Sequence, residues 1–290
     1  MRPVRCSDGG DKIRRARPVL SNAGLRPSGH PGQTVGSVQW TSKEQAAKAL
    51  DAAWEAFPRW DTTPVAERAA IVRRLGDLME EHMAELMTLC SREGGKLLTD
   101  GVDEIKEAVD FCRYYAMRAE ESFGEPIELP GPTGESNRLM MGGKGVFAAI
   151  SPWNFPVAIF CGQIVAAAVA GNTVLAKPAE QTSIVAPRVI ELLYEAGMPR
   201  DVVQLLPGDG PTVGSVLTSD PRITGVVFTG GTDTAQIINR ALAARDNAPL
   251  PTLIAETGGM NAMIVDSTAL PEQVVVDVIQ SAFQSAGQRC

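Results

Sequence analysis

Histidine is nearly missing from this 290-residue chain: only His30 and His82 occur. The five cysteines, Cys6, Cys90, Cys112, Cys161 and Cys290, are scattered and form no CxxC pair. A zinc site needs clustered His and Cys ligands, so no metal is expected. An odd number of scattered thiols points to a reducing compartment, hence the cytoplasm, rather than to a disulfide scaffold. A basic surplus is missing too. Lys and Arg number 27 against 34 Asp and Glu, a net charge of -7, which argues against nucleic acid as a partner. No apolar run reaches the roughly 18–20 residues that span a bilayer. The longest candidate, 156–170, is interrupted by Gln163. The N-terminus has no apolar signal-peptide centre.

What is present is a large core. Hydrophobic residues make up 44% of the chain, enough for two domains or one large one. Residues 1–35 are rich in Arg, Gly, Pro and Ser without periodicity, and are expected to be a disordered or atypical tail. Ser42 reads as the cap of a helix to about Phe57. Pro64 opens a second, with apolar residues from Ile71 to Met87 at helical spacing, ending at Gly94–Gly95. A third is expected from about Val102 to Arg118. Pro, Gly and polar residues then suggest a hairpin within 124–144.

From Gly145 the pattern changes. "GVFAAI", "TVLAKP", "VVQLLP", "GVVFTG" and "TLIAE" have the length of strands buried on both faces. Helical stretches alternate with them: 156–170, 183–196, 212–217 and 233–244. This predicts right-handed βαβ units and a parallel sheet. "AMIV" and a helix over 272–285 begin another unit, and the chain stops before it closes.

Ligands of open parallel sheets bind at the carboxyl ends of strands. Four segments follow such ends. In "SPWNFP", Asn154 offers an amide donor, or serves as a helix-entry turn residue. In "KPAEQT", Lys177 and Glu180 suit ribose hydroxyls, or are a solvated lysine and a helix-dipole carboxylate before a helix capped by Thr182 or Ser183. In "FTGGTDTA", Gly230–Gly231 lets backbone approach a phosphate at a helix N-terminus. In "ETGGMN", Glu256 is a surface charge or a base that activates water. Cys90, Cys112 and Cys161 read as buried hydrophobes.

Taken together, "PWNFP", "KPAEQT", "FTGGTDTA", "ETGG" and "GQRC", in this order, resemble the aldehyde dehydrogenase superfamily from about Val35 to Cys290. "EAVDFCRYYA", "ETGGMNAMIVDSTALPEQVV" and "SAFQSAGQRC" are similar to the 1-pyrroline-5-carboxylate dehydrogenase portion of proline utilisation A proteins. The resemblance implies an α/β fold: a Rossmann-like parallel-sheet cofactor domain over 36–256, preceded by helices, and the truncated start of a catalytic domain over 257–290. It makes 124–144 an oligomerisation hairpin.

By the same resemblance Cys290 is the nucleophile, whose thiolate attacks the aldehyde. The Asn154 amide and the backbone N–H of Cys290 hold the oxyanion, and Glu256 activates water for thioester hydrolysis. Lys177 and Glu180 hold the adenosine ribose, with NAD preferred because a carboxylate repels a 2′-phosphate. Ile150, Ser151, Pro152, Trp153, Gly210, Gly214, Phe228, Thr229, Gly230, Gly231, Thr257 and Gly258 line the cofactor. Many members have Ser where this chain has Gly231, and Gly where it has Ala235, which bears on that contact.

The implied reaction is oxidation of L-glutamate 5-semialdehyde (1-pyrroline-5-carboxylate) to glutamate in proline catabolism; succinate semialdehyde is the alternative substrate. A proline dehydrogenase domain or partner would supply it, and the parent enzyme would be a homo-oligomer. Members continue well past the nucleophile, so the 290 residues alone are expected to be inactive. A nucleotide-binding module is the alternative reading.

Overall fold

The computed structural model describes residues 23–25, 34–246, 248–285 and 287. Strand β1 (Ala23–Leu25) pairs antiparallel with β2 (Gly36–Val38), Ala23 opposite Val38. Paired backbone thus occurs within the first 35 residues, where the sequence suggests only an irregular tail; 1–22 and 26–33 lie outside the described residues.

Helix α1 (Lys43–Asp61) opens on the expected cap. The Gln45 N–H donates to Ser42 Oγ at 3.2 Å, and the Ser42 N–H to Gln45 Oε1 at 2.8 Å. Two donors that the first helical turn would orphan are thereby satisfied. The long second helix of the sequence reading is two helices, α2 (Val65–Glu81) and α3 (Met83–Gly94), parted at His82. Its apolar spacing runs on through Met79, Met83 and Leu86, so the pattern carries no trace of the break. Gly95 ends α3 at φ +70°, a left-handed cap that favours glycine. Helix α4 (Leu98–Phe123) exceeds its expected bounds at both ends. A short hairpin follows, β3 (Ile127–Leu129) against β4 (Asn137–Leu139), inside the segment expected to hold one.

The remaining strands form one parallel sheet. Their order of appearance is β5 (Val146–Ile150), β6 (Thr173–Lys177), β7 (Val203–Leu205), β8 (Ile223–Gly230) and β9 (Thr252–Thr257). Their order in space is β7-β6-β5-β8-β9. Helices α5 (Ala158–Val169), α6 (Val185–Glu195), α7 (Ser215–Ser219) and α8 (Thr232–Ala243) make the crossovers. The α/β class and parallel sheet are as the sequence indicates. "AMIV" is not a strand: 258–266 lacks regular structure and is exposed, and α9 (Pro271–Phe283) follows it with no buried residue.

Alternation along β5 shows why the inner strands are apolar throughout; β9, expected from "TLIAE" to be buried on both faces, is instead exposed over its second half, at the edge of the sheet. Phe147 and Ala149 join a core with α2, α4, α5 and α6. Val146, Ala148 and Ile150 join a second core with α1, α7 and α8. Side chains of period two meet helices on both faces. Helix α5 lies close on α4: a Cβ on Gly162 would come 2.8 Å from the Phe111 ring, so this contact requires glycine. Among the described residues no helix is long and apolar enough to cross a membrane.

Candidate active site

From β5 the chain moves outward to β6 and β7, then returns to the other side of β5 for β8 and β9. The order therefore reverses between β5 and β8, where the loops at the strand ends part and leave a crevice. Register aligns these ends: Lys177 and Phe228 flank Ile150, Ala255 is opposite Phe228, and Glu256 opposite Thr229.

An open cleft of about 1840 Å³ lies there. One wall is Ile150, Ser151, Pro152, Trp153 and Asn154; the opposite wall is Phe228, Thr229, Gly230 and Gly231. Lys177, Glu180, Gly210 and Gly214 close one end, and Glu256, Thr257 and Gly258 the other. The structure thus gathers all of these sequence-nominated residues in a single cavity. Cys290 lies outside the described residues. Six positions before it, Gln284, just past α9, donates through Nε2 to Asp100 Oδ1 on α4 at 3.2 Å.

Local detail sharpens several positions. Lys177 is buried, not solvated, and its Nζ lies 3.3 Å from both Glu180 Oε1 and the Pro178 carbonyl. Gly210–Gly214 form a π-helical turn ahead of α7, and the Asp209 side chain accepts from the Thr212 N–H at 2.6 Å. Gly231 is the N-cap of α8 and carries no side-chain cap. A Cβ there would meet nothing within 4 Å, so the glycine is not imposed by packing and leaves the helix N-terminus open. Glu256 is exposed at the end of β9.

Neither Thr182 nor Ser183 caps α6. Ser183 Oγ donates instead to the Ala179 carbonyl at 2.7 Å. The cap comes from α3: Glu93 accepts from the N–H groups of Ile184 and Val185 at 2.6 and 2.9 Å. Glu104 of α4 does the same for α5, accepting from Val157 and Ala158, both at 2.8 Å. Two neighbouring helices therefore send three buried carboxylates, Glu93, Asp100 and Glu104, to three segments that carry nominated residues. The sequence reading passed over them. A signal existed: Glu104 falls on the apolar stripe Gly101, Ile105, Ala108, Val109, Cys112, all of them buried.

Burial drives the Glu93 carboxyl up to about 7, against the lowering effect of its two N–H partners. An unfolded chain releases this proton near 4.5, so between those values the folded state holds more protons and stability falls as pH rises. We expect a loss of roughly 2–4 kcal/mol across that window from this group. Urea unfolding of wild type and Glu93→Gln at about pH 5 and about pH 7.5 reads it; equal pH slopes in the two proteins would refute the assignment.

Gln163 was also missed as a site residue. Its Nε2 donates to Thr229 Oγ1 at 2.9 Å, tying α5 to the end of β8. Its Oε1 is buried in the cleft wall without a hydrogen-bond partner among the described residues. The other described cysteines are unsuited to attack. Burial pushes the Cys90 thiol well up. The Cys161 thiol is raised by its hydrogen bond to Cys112, 3.7 Å between sulfurs, and by burial.

Comparison with known proteins places this architecture in a class. The aldehyde dehydrogenase family matches residues 25–290, and the chain belongs to it. It is 51% identical over 263 residues to the bifunctional protein PutA of Escherichia coli, covering 90% of this chain and 19% of that protein. It is 36% identical over 285 residues to a 1-pyrroline-5-carboxylate dehydrogenase of Geobacillus, covering 97% of this chain and 54% of the relative. Among solved structures, a Bradyrhizobium japonicum PutA mutant superposes at TM-score 0.85 with 54% identity, over 87% of this chain and 26% of that one. The 1-pyrroline-5-carboxylate dehydrogenase of Thermus with bound NAD superposes at 0.89 with 37% identity, over 93% and 52%.

Proposed function

We propose that the protein carrying this sequence oxidises L-glutamate 5-semialdehyde, formed from 1-pyrroline-5-carboxylate, to glutamate with NAD⁺. The observation that carries this reading is the gathering of four separate strand-end segments in one cleft at the switch point. The substrate rests on the relatives that bear the name 1-pyrroline-5-carboxylate dehydrogenase.

The cleft suits a dinucleotide. The uncapped N-terminus of α8 at Gly231 presents backbone N–H groups to a phosphate. The Lys177–Glu180 pair offers a cation and a carboxylate to ribose hydroxyls. The partnerless Gln163 Oε1 offers an acceptor. When bound, NAD⁺ would supply the acceptor for the hydride that leaves the substrate carbon.

The chain's own residues do the rest. The Cys290 thiolate adds to the aldehyde carbon, and the carbonyl oxygen becomes an anion held by the Asn154 amide and the Cys290 N–H. Loss of hydride from this adduct leaves a thioester. Glu256 takes a proton from water, whose oxygen adds to the thioester carbon. Collapse breaks the C–S bond, restores the thiolate and releases the product acid; the acid and Glu256 then each give a proton to solvent, leaving the carboxylate and the free base.

A proline dehydrogenase domain or partner would deliver the substrate, in keeping with the relatives called bifunctional. Exposed Ile127, Leu129 and Leu139 on the β3–β4 hairpin support a role in homo-oligomer assembly. The test is formation of NADH with 1-pyrroline-5-carboxylate. No NADH, or a higher kcat/KM with succinate semialdehyde, overturns the assignment. Replacing Glu180 with Gln should raise KM for NAD⁺ by about 10-fold or more, since a hydrogen bond to a charged group is worth roughly 1.5–3 kcal/mol. Discrimination against NADP⁺ should shrink with it, measured as the ratio of the two kcat/KM values.

A further inference from the structure

The segment bearing Asn154 is gripped on its C-terminal side by two buried charged residues. Glu104 is 1% exposed and Lys96 is 4% exposed. They form an ion pair through Lys96 Nζ and Glu104 Oε2. Glu104 Oε1 accepts from the N–H groups of Val157 and Ala158, each at 2.8 Å, which fixes the start of α5. Lys96 Nζ lies 4.2 Å from the centroid of the Phe155 ring, a cation–π contact in a desolvated setting. Phe155 is the residue after Asn154, and Val157 follows Pro156. Three of the four residues after Asn154 are thus held by one ion pair.

Burying two charges is expensive, and a well-packed apolar pair would often stabilise a fold as well or better. Stability alone is therefore a weak reason for this pair. An oxyanion donor, by contrast, must already point at the place where charge develops, because reorienting it during reaction forfeits its effect. We propose that Lys96 and Glu104 are positioning residues for the oxidation: together they set the direction of the Asn154 amide. This rests on the role given to Asn154 above. Neither residue touches substrate or cofactor in this assignment; Lys96 acts through the Phe155 ring and Glu104 through the backbone on the other side of Pro156.

The test is a double-mutant cycle on kcat/KM for the aldehyde, in the protein carrying this sequence. Glu104→Gln keeps the shape and one acceptor oxygen but loses the charge. Alone it should lower kcat/KM by about 10- to 100-fold, as small misplacements of reacting groups do. In an Asn154→Ala background it should lower the value by less than about twofold, since no amide is left to misdirect. KM for NAD⁺ should not change in either background. Should Glu104→Gln not fold, Lys96→Gln serves the same cycle, because it keeps a donor to Glu104 and removes the cation over Phe155. Equal fold-losses in both backgrounds would mean the pair merely supports the fold, and would overturn the proposal. An unchanged rate for Asn154→Ala alone would instead overturn the assigned role of Asn154, and the proposal with it.

Discussion

In the protein carrying this sequence, Cys290→Ala should lower the proposed aldehyde oxidation by about 10⁴-fold or more, the scale on which loss of a covalent nucleophile is felt. NAD⁺ affinity, measured by titration of the variant, should stay within about twofold, because binding and bond-making draw on separate parts of a site. The cleft residues assigned to the cofactor come from the ends of β5, β6, β8 and β9, the loops that follow them and the π-helical turn Gly210–Gly214, whereas Cys290 lies in sequence after α9 and outside the described residues. The described thiols are poor substitutes: Cys90, Cys112 and Cys161 are all buried. Joint loss of NAD⁺ binding and turnover would show that Cys290 serves the cofactor rather than the aldehyde.

Asn154→Ala should lower kcat by about 10²–10³-fold, the usual cost of removing one oxyanion donor, the role proposed for this amide. Asn154 lies between Pro152 and Pro156, in a segment held on its C-terminal side by the second proline and by Glu104. Truncation to Ala should leave the backbone path unchanged while removing the amide and its contacts. KM for NAD⁺ therefore stays constant, and steady-state kinetics with varied NAD⁺ checks it. A rise in that KM with unchanged kcat would mean that Asn154 binds the dinucleotide instead.

Sequence reasoning reached the sheet because its strands are short, apolar throughout and punctuated by Gly and Pro. Asn154, Lys177, Glu180 and Glu256 were nominated because they stand at or just past strand ends, each beside a structural alternative, and their assigned roles came from the family resemblance. The break at His82 was not, because the apolar spacing of α2 and α3 continues across it. "AMIV" misled for the opposite reason: β-branched and apolar composition marks a strand only where a neighbour pairs with it, and these residues meet none among those described. The three carboxylates of α3 and α4 were invisible to a reading that weighs charged residues as surface. Their partners are backbone N–H groups or a side chain from distant segments, 53 and 91 positions away for Glu104 and Glu93, and no local pattern announces a cap supplied from so far off.

Those carboxylates carry a consequence for how activity is lost. The helices that bear them are joined to the sheet by side chains and are not part of its hydrogen-bonded ladder. Local openings of a protein cost less than global unfolding. If α3 and α4 lift away, α5 and α6 lose their caps and the Gln284 hydrogen bond is lost at the same moment, while the five strands keep their pairing. A protein loosened at this helix pair should therefore lose activity before its backbone spectrum loses the sheet, even though α3 and α4 also bury apolar residues in the core they share with β5.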